Sequence, residues 1–260
     1  MEFYTLASGS GGNCSLVRTE KEVLLFDVGI SCRRIERSLD HLGLSLGEVS
    51  AVFITHEHAD HISGLDALSR KCAAPIYASC GSARTLPERV IPFTAGDSFA
   101  LESCTVRSFA TSHDAAEPVG YRIDGTDGSL GILTDTGYVT EEAADALLGV
   151  DMLLLEANHD VELLQSGPYP DFLKRRILGA RGHLSNADAA EFAIRAVGGG
   201  ANDIILAHIS EENNTPELAE YTITRALESA DYFAGIRIAP RNELSEVHIC
   251  KKSLSFASES

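Results

Sequence analysis

From Thr55 to His61 the chain reads Thr-His-Glu-His-Ala-Asp-His, which sets three imidazoles and two carboxylates into six consecutive positions. Imidazole and carboxylate are the donors that borderline divalent cations such as zinc take. Only nine histidines occur in the 260 residues, so a run this dense argues against an ordinary solvated loop. The helical H-E-x-x-H spacing of a zincin protease is absent, because position 60 is Asp. So many ligands would crowd one ion, and two adjacent cations are the arrangement that uses them all.

The apolar run Ala51-Val52-Phe53-Ile54 leads straight into this cluster and reads as a strand. His56 and His58, two apart at its end, then project to one side. Asp60 and His61 follow where a helix begins and can turn toward a second ion.

H-x-H-x-D-H after an apolar strand resembles the signature of the metallo-β-lactamase superfamily. That resemblance implies an α/β fold, a four-layer αββα sandwich with the site at one edge, and covers the chain from Leu6 to about Pro216. Asp27, in Leu-Phe-Asp-Val-Gly, looks like the early aspartate that supports the metal-binding loop from behind. His113 matches the third histidine of the first metal, Asp135 the bridging carboxylate, and His208 the last ligand of the second metal. The resemblance therefore implies two divalent ions, zinc foremost with manganese compatible. His56, His58 and His113 would hold one, Asp60, His61 and His208 the other, and Asp135 would stand between. Such a pair activates water for hydrolysis, with Asp60 or Asp135 steering or receiving its proton.

Four further segments bear on the substrate. The glycine-rich stretch Ser8-Gly-Ser10-Gly-Gly-Asn13 could form an anion nest for phosphate, or be an ordinary hairpin connection. His183, in Gly-His-Leu-Ser, precedes an Ala-rich helix, where phosphate is favoured. Glu156-Ala-Asn158-His159-Asp160 and Ser210-Glu-Glu-Asn213-Asn214 complete the set. Gly182 to Ser185 resembles a closing motif of tRNase Z, yet no long Gly/Pro-rich arm for a tRNA is present. The four segments together are similar to the YycJ/WalJ group of bacterial proteins. That resemblance implies 5′-to-3′ exonuclease action on DNA and a part in repair. It makes His183 and His159 acids or phosphate-binding groups, and Ser8, Ser10, Asn13, Asn158, Ser185 and Asn213 substrate contacts. The competing reading is a small-molecule hydrolase of the same fold, acting on a thioester, lactone or cyclic phosphodiester.

The elements that must position these residues are legible as short apolar runs in the first half and alternating helix and strand in the second. Expected strands include residues 2–6, 15–18, 22–27, 104–110, 119–123, 130–134, 152–156 and 204–208. Expected helices start at Ser31, follow the His cluster to Cys72, and cover 140–148, 186–197 and 215–230. No repeat or linker divides the chain, so one domain over residues 1–260 is expected. Apolar content of 44% and charged content of 23% suit a globular protein with a sizeable core.

The net charge of −17 confines any nucleic-acid face to a local patch. Lys174-Arg175-Arg176 with Arg181 could track a DNA backbone, or be a solvated helix face. No run approaches a bilayer span, and Met1-Glu-Phe-Tyr lacks a basic signal region, so a cytoplasmic protein without membrane contact is expected. The six scattered cysteines form no C-x-x-C pair and read as small buried residues. No feature of the sequence sets an oligomeric state.

Overall fold

Each half of the chain builds its own sheet. The computed structural model describes residues 1–87 and 89–252. In the first half the strands are β1 (Glu2–Ala7), β2 (Cys14–Arg18), β3 (Val23–Phe26), β4 (Val49–Phe53), β5 (Ile76–Ser79) and β6 (Val90–Phe93). Between them lie α1 (Cys32–His41), α2 (Ala59–Ile62), α3 (Leu65–Lys71) and α4 (Cys80–Ala83). The second half supplies β7 (Ser98–Ala100), β8 (Cys104–Ala110), β9 (Val119–Gly125), β10 (Ser129–Leu133), β11 (Met152–Glu156), β12 (Asp203–Ala207) and β13 (Gly235–Ile238). Its helices are α5 (Glu141–Leu147), α6 (Val161–Ser166), α7 (Asp171–Ile177), α8 (Asn186–Gly198) and α9 (Pro216–Ser229). A last strand, β14 (His248–Ile249), returns to pair with β1.

Among the described residues there are two seven-stranded sheets, ordered β14-β1-β2-β3-β4-β5-β6 and β13-β12-β11-β10-β9-β8-β7. Both follow one plan. An antiparallel ladder, β1-β2-β3 or β7-β8-β9-β10, continues into parallel strands. Parallel neighbours need crossover connections, and the helices supply them.

Strands buried on both faces explain the continuous apolar runs. Along β3, Val23 and Leu25 face α1 and α3 while Leu24 and Phe26 face the other sheet. Along β11, Leu153 and Leu155 pack under α8 and α9 while Met152 and Leu154 join the inter-sheet layer. Three separate apolar layers make four layers of structure, so the expected αββα sandwich is the observed one. Phe26, Phe53 and Tyr121 form an aromatic cluster in the middle layer, with ring centroids 5.3–5.6 Å apart.

Side-chain caps set the helix starts. Ser31, Thr140, Ser185 and Thr215 each accept a backbone N–H from three residues on. Elements without a strong period escape sequence reasoning: β6 contains a proline at the sheet edge, and α7 is short and cationic. The cysteines are unpaired, and five are buried as expected, whereas Cys80 is exposed at the start of α4. Among the described residues no helix is long and apolar enough to cross a membrane.

Candidate metal centre

The His/Asp cluster lies where strands of both sheets end. Asp27 follows β3, the Thr55–His61 turn follows β4, His113 follows β8, Asp135 follows β10, Glu156 closes β11 and His208 follows β12. Three of these residues turn inward through left-handed backbone, with φ of 60° at Asp27, 56° at Asp135 and 53° at His208. Such conformations cost about 1–3 kcal/mol each outside glycine and concentrate at functional sites.

Behind the cluster, Asp27 accepts hydrogen bonds from Thr55 N at 2.8 Å and from the Thr55 hydroxyl, and its Oδ2 lies 2.8 Å from His61 Nδ1. The Thr55 hydroxyl in turn lies 3.0 Å from His56 Nδ1. With Nδ1 of both rings occupied from behind, Nε2 of each faces forward. His113 is set the same way, its Nδ1 donating to the Gly182 carbonyl at 2.9 Å. His56 Nε2 and His58 Nδ1 are 3.0 Å apart. Gly29 lets two loops close here, because a Cβ at that position would lie 1.6 Å from the Asp60 carbonyl oxygen.

Donor atoms of His56, His58 and His113 all lie within 4.8 Å of one another, as do those of Asp60, His61 and His208. Asp135 reaches both groups, 3.3 Å from His61 Nε2 and 3.9 Å from His113 Nε2. The expected ligands are thus brought together. Asp135, Glu156, His183 and His208 form another close set, but Glu156 is spent on hydrogen bonds. Its oxygens meet His183 Nδ1 at 2.7 Å, His208 Nδ1 at 2.9 Å, Thr136 N at 3.0 Å and Leu184 N at 3.2 Å.

The electrostatics call for added positive charge. Burial pushes His208 down, yet Asp135, Asp60 and Glu156 outweigh it and hold the imidazole at about 10. Burial opposes charge on His61 too, and Asp135 and Asp27 again raise it well above its ordinary value. Burial raises the Asp135 carboxyl, but the surrounding imidazoles hold it well below the carboxylate range. Asp135 Oδ2 and His208 Nε2 are buried without a hydrogen-bond partner. Orphaned donor atoms amid imidazoles and carboxylates fit divalent cations.

The adjoining cleft has a volume of about 260 Å³. Ser10, Asn158, His183 and Ser210 line it together with several of the cluster residues. A larger hollow of about 910 Å³, between α1 and residues 242–247, gathers no comparable donor set.

Several sequence expectations change here. His159 is buried, does not line the cleft, and neither ring nitrogen has a hydrogen-bond partner. The alternation that brings Asn158 to the cleft turns His159 away from it. Ser185 caps α8, and Asn213 is buried with its N–H groups on the Ser210 hydroxyl. Ser8 accepts the His208 N–H at 2.8 Å, and the Asn13 amide lies 3.3 Å from Asp60 Oδ2 and 3.1 Å from His61 Nε2. Ser8 and Asn13 thus brace the cluster, and none of these four residues lines the cleft. The anion nest is largely occupied: Gly9 N, Gly12 N and Asn13 N bond to Asn13 Oδ1, Gly9 O and Asp60 O.

Of the basic residues, Lys174 bonds to the Gln165 carbonyl and Arg181 to those of His113 and Ala115. Arg176 lines the cleft. Glu156 is the functional residue that sequence reasoning missed as such. Its signal was a carboxylate at the end of an otherwise wholly apolar strand, where burial demands partners.

Residues 23–209 match the beta-lactamase superfamily domain. The chain is 38% identical over 243 residues to exodeoxyribonuclease YycJ of Bacillus anthracis, covering 90% of this chain and 92% of that protein. It is 39% identical over 247 residues to exodeoxyribonuclease WalJ of Streptococcus pneumoniae, covering 90% and 91%. Among solved structures, the metallo-β-lactamase fold protein YhfI of Bacillus subtilis superposes with a TM-score of 0.70 at 17% identity, covering 94% of this chain and 98% of that one. A fold of two mixed sheets between helices, a His/Asp cluster at their strand ends and a domain match across most of the chain agree, and the chain belongs to the beta-lactamase superfamily as a metal-dependent hydrolase.

Proposed function

We propose that the chain is a dinuclear metal phosphodiesterase that degrades DNA from the 5′ end toward the 3′ end. Zinc suits its donor set best, and manganese is compatible with it. The carrying observation is the Glu156–His183 couple beside the His/Asp cluster. An alkoxide leaving group needs an acid at that place, whereas the thiolate of a thioester does not. The exodeoxyribonuclease names of both relatives support DNA as substrate, and the strand polarity rests on resemblance to that group.

In this reading His56, His58 and His113 would hold one ion and Asp60, His61 and His208 the other, with Asp135 between them. When bound, such ions lower the pKa of water and offset charge gathering on the phosphoryl oxygens. Asn158 and Ser10 offer polar groups on the cleft wall for the phosphate. Asp60, on the cleft wall, would steer or receive the proton of the attacking water. His183, with Nδ1 on Glu156, presents Nε2 to the leaving oxygen and gives it a proton.

The test is turnover of DNA labelled at either end, bis-p-nitrophenyl phosphate and an acyl thioester by the purified chain with zinc or manganese. Mononucleotides released first from the 5′ end are expected. Thioester hydrolysis without diester hydrolysis would overturn the reading, and release from the 3′ end would overturn its polarity.

A further inference from the structure

One wall of the cleft comes from the excursion between β11 and α8, which carries α6 and α7. Tyr169, just ahead of α7, and Leu173, Arg176 and Ile177, on one face of that helix, line the cleft from this wall. Phe172, one turn before Arg176, stands beside that face and is 67% exposed. Within α7 only Ile177 is buried. A helix that buries one side chain and turns a cation to a cleft, with Tyr169 just ahead of it and Phe172 exposed beside it, is not held there for the core.

Its charge is equally local. From Asp171 to Arg181 there are four basic residues and one acidic, in a chain of net charge −17. Arg176 is held to Asp114, with Nε and Nη2 2.5 and 3.2 Å from the two carboxylate oxygens. Both partners are partly exposed, and such an ion pair is weak in water. A phosphate presents the same two-oxygen face to a guanidinium.

We propose that this wall is a nucleotide subsite, in which Arg176 exchanges Asp114 for the phosphate flanking the scissile diester and Tyr169 and Phe172 stack the adjoining base. The proposal rests on the nuclease reading and adds to it a means of holding a strand. Phosphate contact confers salt dependence, and stacking confers affinity without base specificity. A small aryl diester has no flanking nucleotide and does not reach the subsite.

The experiment compares wild type, Arg176→Ala, Arg176→Lys, Phe172→Ala and Phe172→Trp on end-labelled DNA and on bis-p-nitrophenyl phosphate. For Arg176→Ala, KM for DNA rises about tenfold and the slope of log KM against log salt becomes shallower by about 0.7–0.9. Arg176→Lys recovers the slope but not the full affinity. For Phe172→Ala, KM rises about tenfold with an unchanged slope, and Phe172→Trp restores it. In both alanine variants the ratio of kcat/KM on DNA to that on the small diester falls about tenfold, with kcat on DNA little altered. Equal losses on both substrates, or an unchanged salt slope in Arg176→Ala, would overturn the subsite and leave the nuclease reading standing. A wild-type chain that neither binds nor cleaves DNA would overturn both.

Discussion

Glu156 and His183 meet through a 2.7 Å contact between Oε1 and Nδ1, and the same oxygen lies 2.9 Å from Nδ1 of His208. One buried carboxylate thus orients an imidazole of the cluster and the imidazole that faces the cleft. Burial alone would raise its carboxyl, but His183 and His208 hold it down to about 2. A Glu156→Gln variant keeps the shape and loses the charge. We expect metal affinity to weaken about 10–100-fold with a parallel fall in turnover, read by metal titration and steady-state kinetics. Wild-type values for both would remove the couple from the mechanism.

His183 separates acid catalysis from metal binding. His183→Ala is expected to slow diester hydrolysis by about 10²–10⁴-fold while metal content stays at two ions per chain. A leaving group that needs no proton, such as p-nitrophenolate, should lose much less. Loss of metal in this variant would make His183 a ligand.

Asp27 acts on the cluster through Thr55 and His61. Asp27→Asn exchanges a carboxylate acceptor for an amide and releases His61 Nδ1, so zinc affinity should drop about 10–100-fold. Competition with a chromophoric chelator measures it. An unchanged affinity would show that the Thr55 hydroxyl alone sets the two rings.

Gly29 holds the turn that presents Asp60. A Cβ there overlaps the Asp60 carbonyl oxygen at 1.6 Å, so Gly29→Ala must displace that turn. We expect a loss of about 1–3 kcal/mol in stability by urea denaturation, together with weaker metal binding.

Glu22 supplies a pH-dependent part of stability far from the cluster. Burial pushes its carboxyl up, but hydrogen bonds from Ser103, Thr19 and the Glu102 amide outweigh it and hold it below the usual value. A depressed folded pKa stabilises above the unfolded pKa of about 4.3 and is lost as pH falls through the folded value. Glu22→Gln should therefore cost about 1–2 kcal/mol at neutral pH, and the gap from wild type should close as pH falls below about 4. Parallel denaturation curves at neutral and acid pH would show it, and a pH-independent gap would contradict the assignment.

The sequence by itself determined the cluster, the fold class and most of the elements. His56, His58, Asp60 and His61 share one strand end, so their spacing alone predicts convergence. The strands of both sheets are buried on two faces and read as apolar runs, and the helices α5, α8 and α9 carry caps and period. Resemblance to the superfamily, rather than local pattern, made His113, Asp135 and His208 candidates, since a lone His or Asp beyond an apolar run is more often structural.

Tertiary structure decided the rest, because it depends on which strand ends lie side by side. Glu156 becomes a support only when β11 is flanked by β10 and β12, whose ends carry Asp135 and His208. The left-handed turns at Asp27, Asp135 and His208 fall on residue types that tolerate that backbone, but residue type alone does not select these positions; the packing that holds each loop does. His159 and Asn158 are equally polar neighbours, and only the direction of the chain assigns one to the interior and the other to the cleft. The α7 wall shows no apolar period because its partner is a cleft rather than a core.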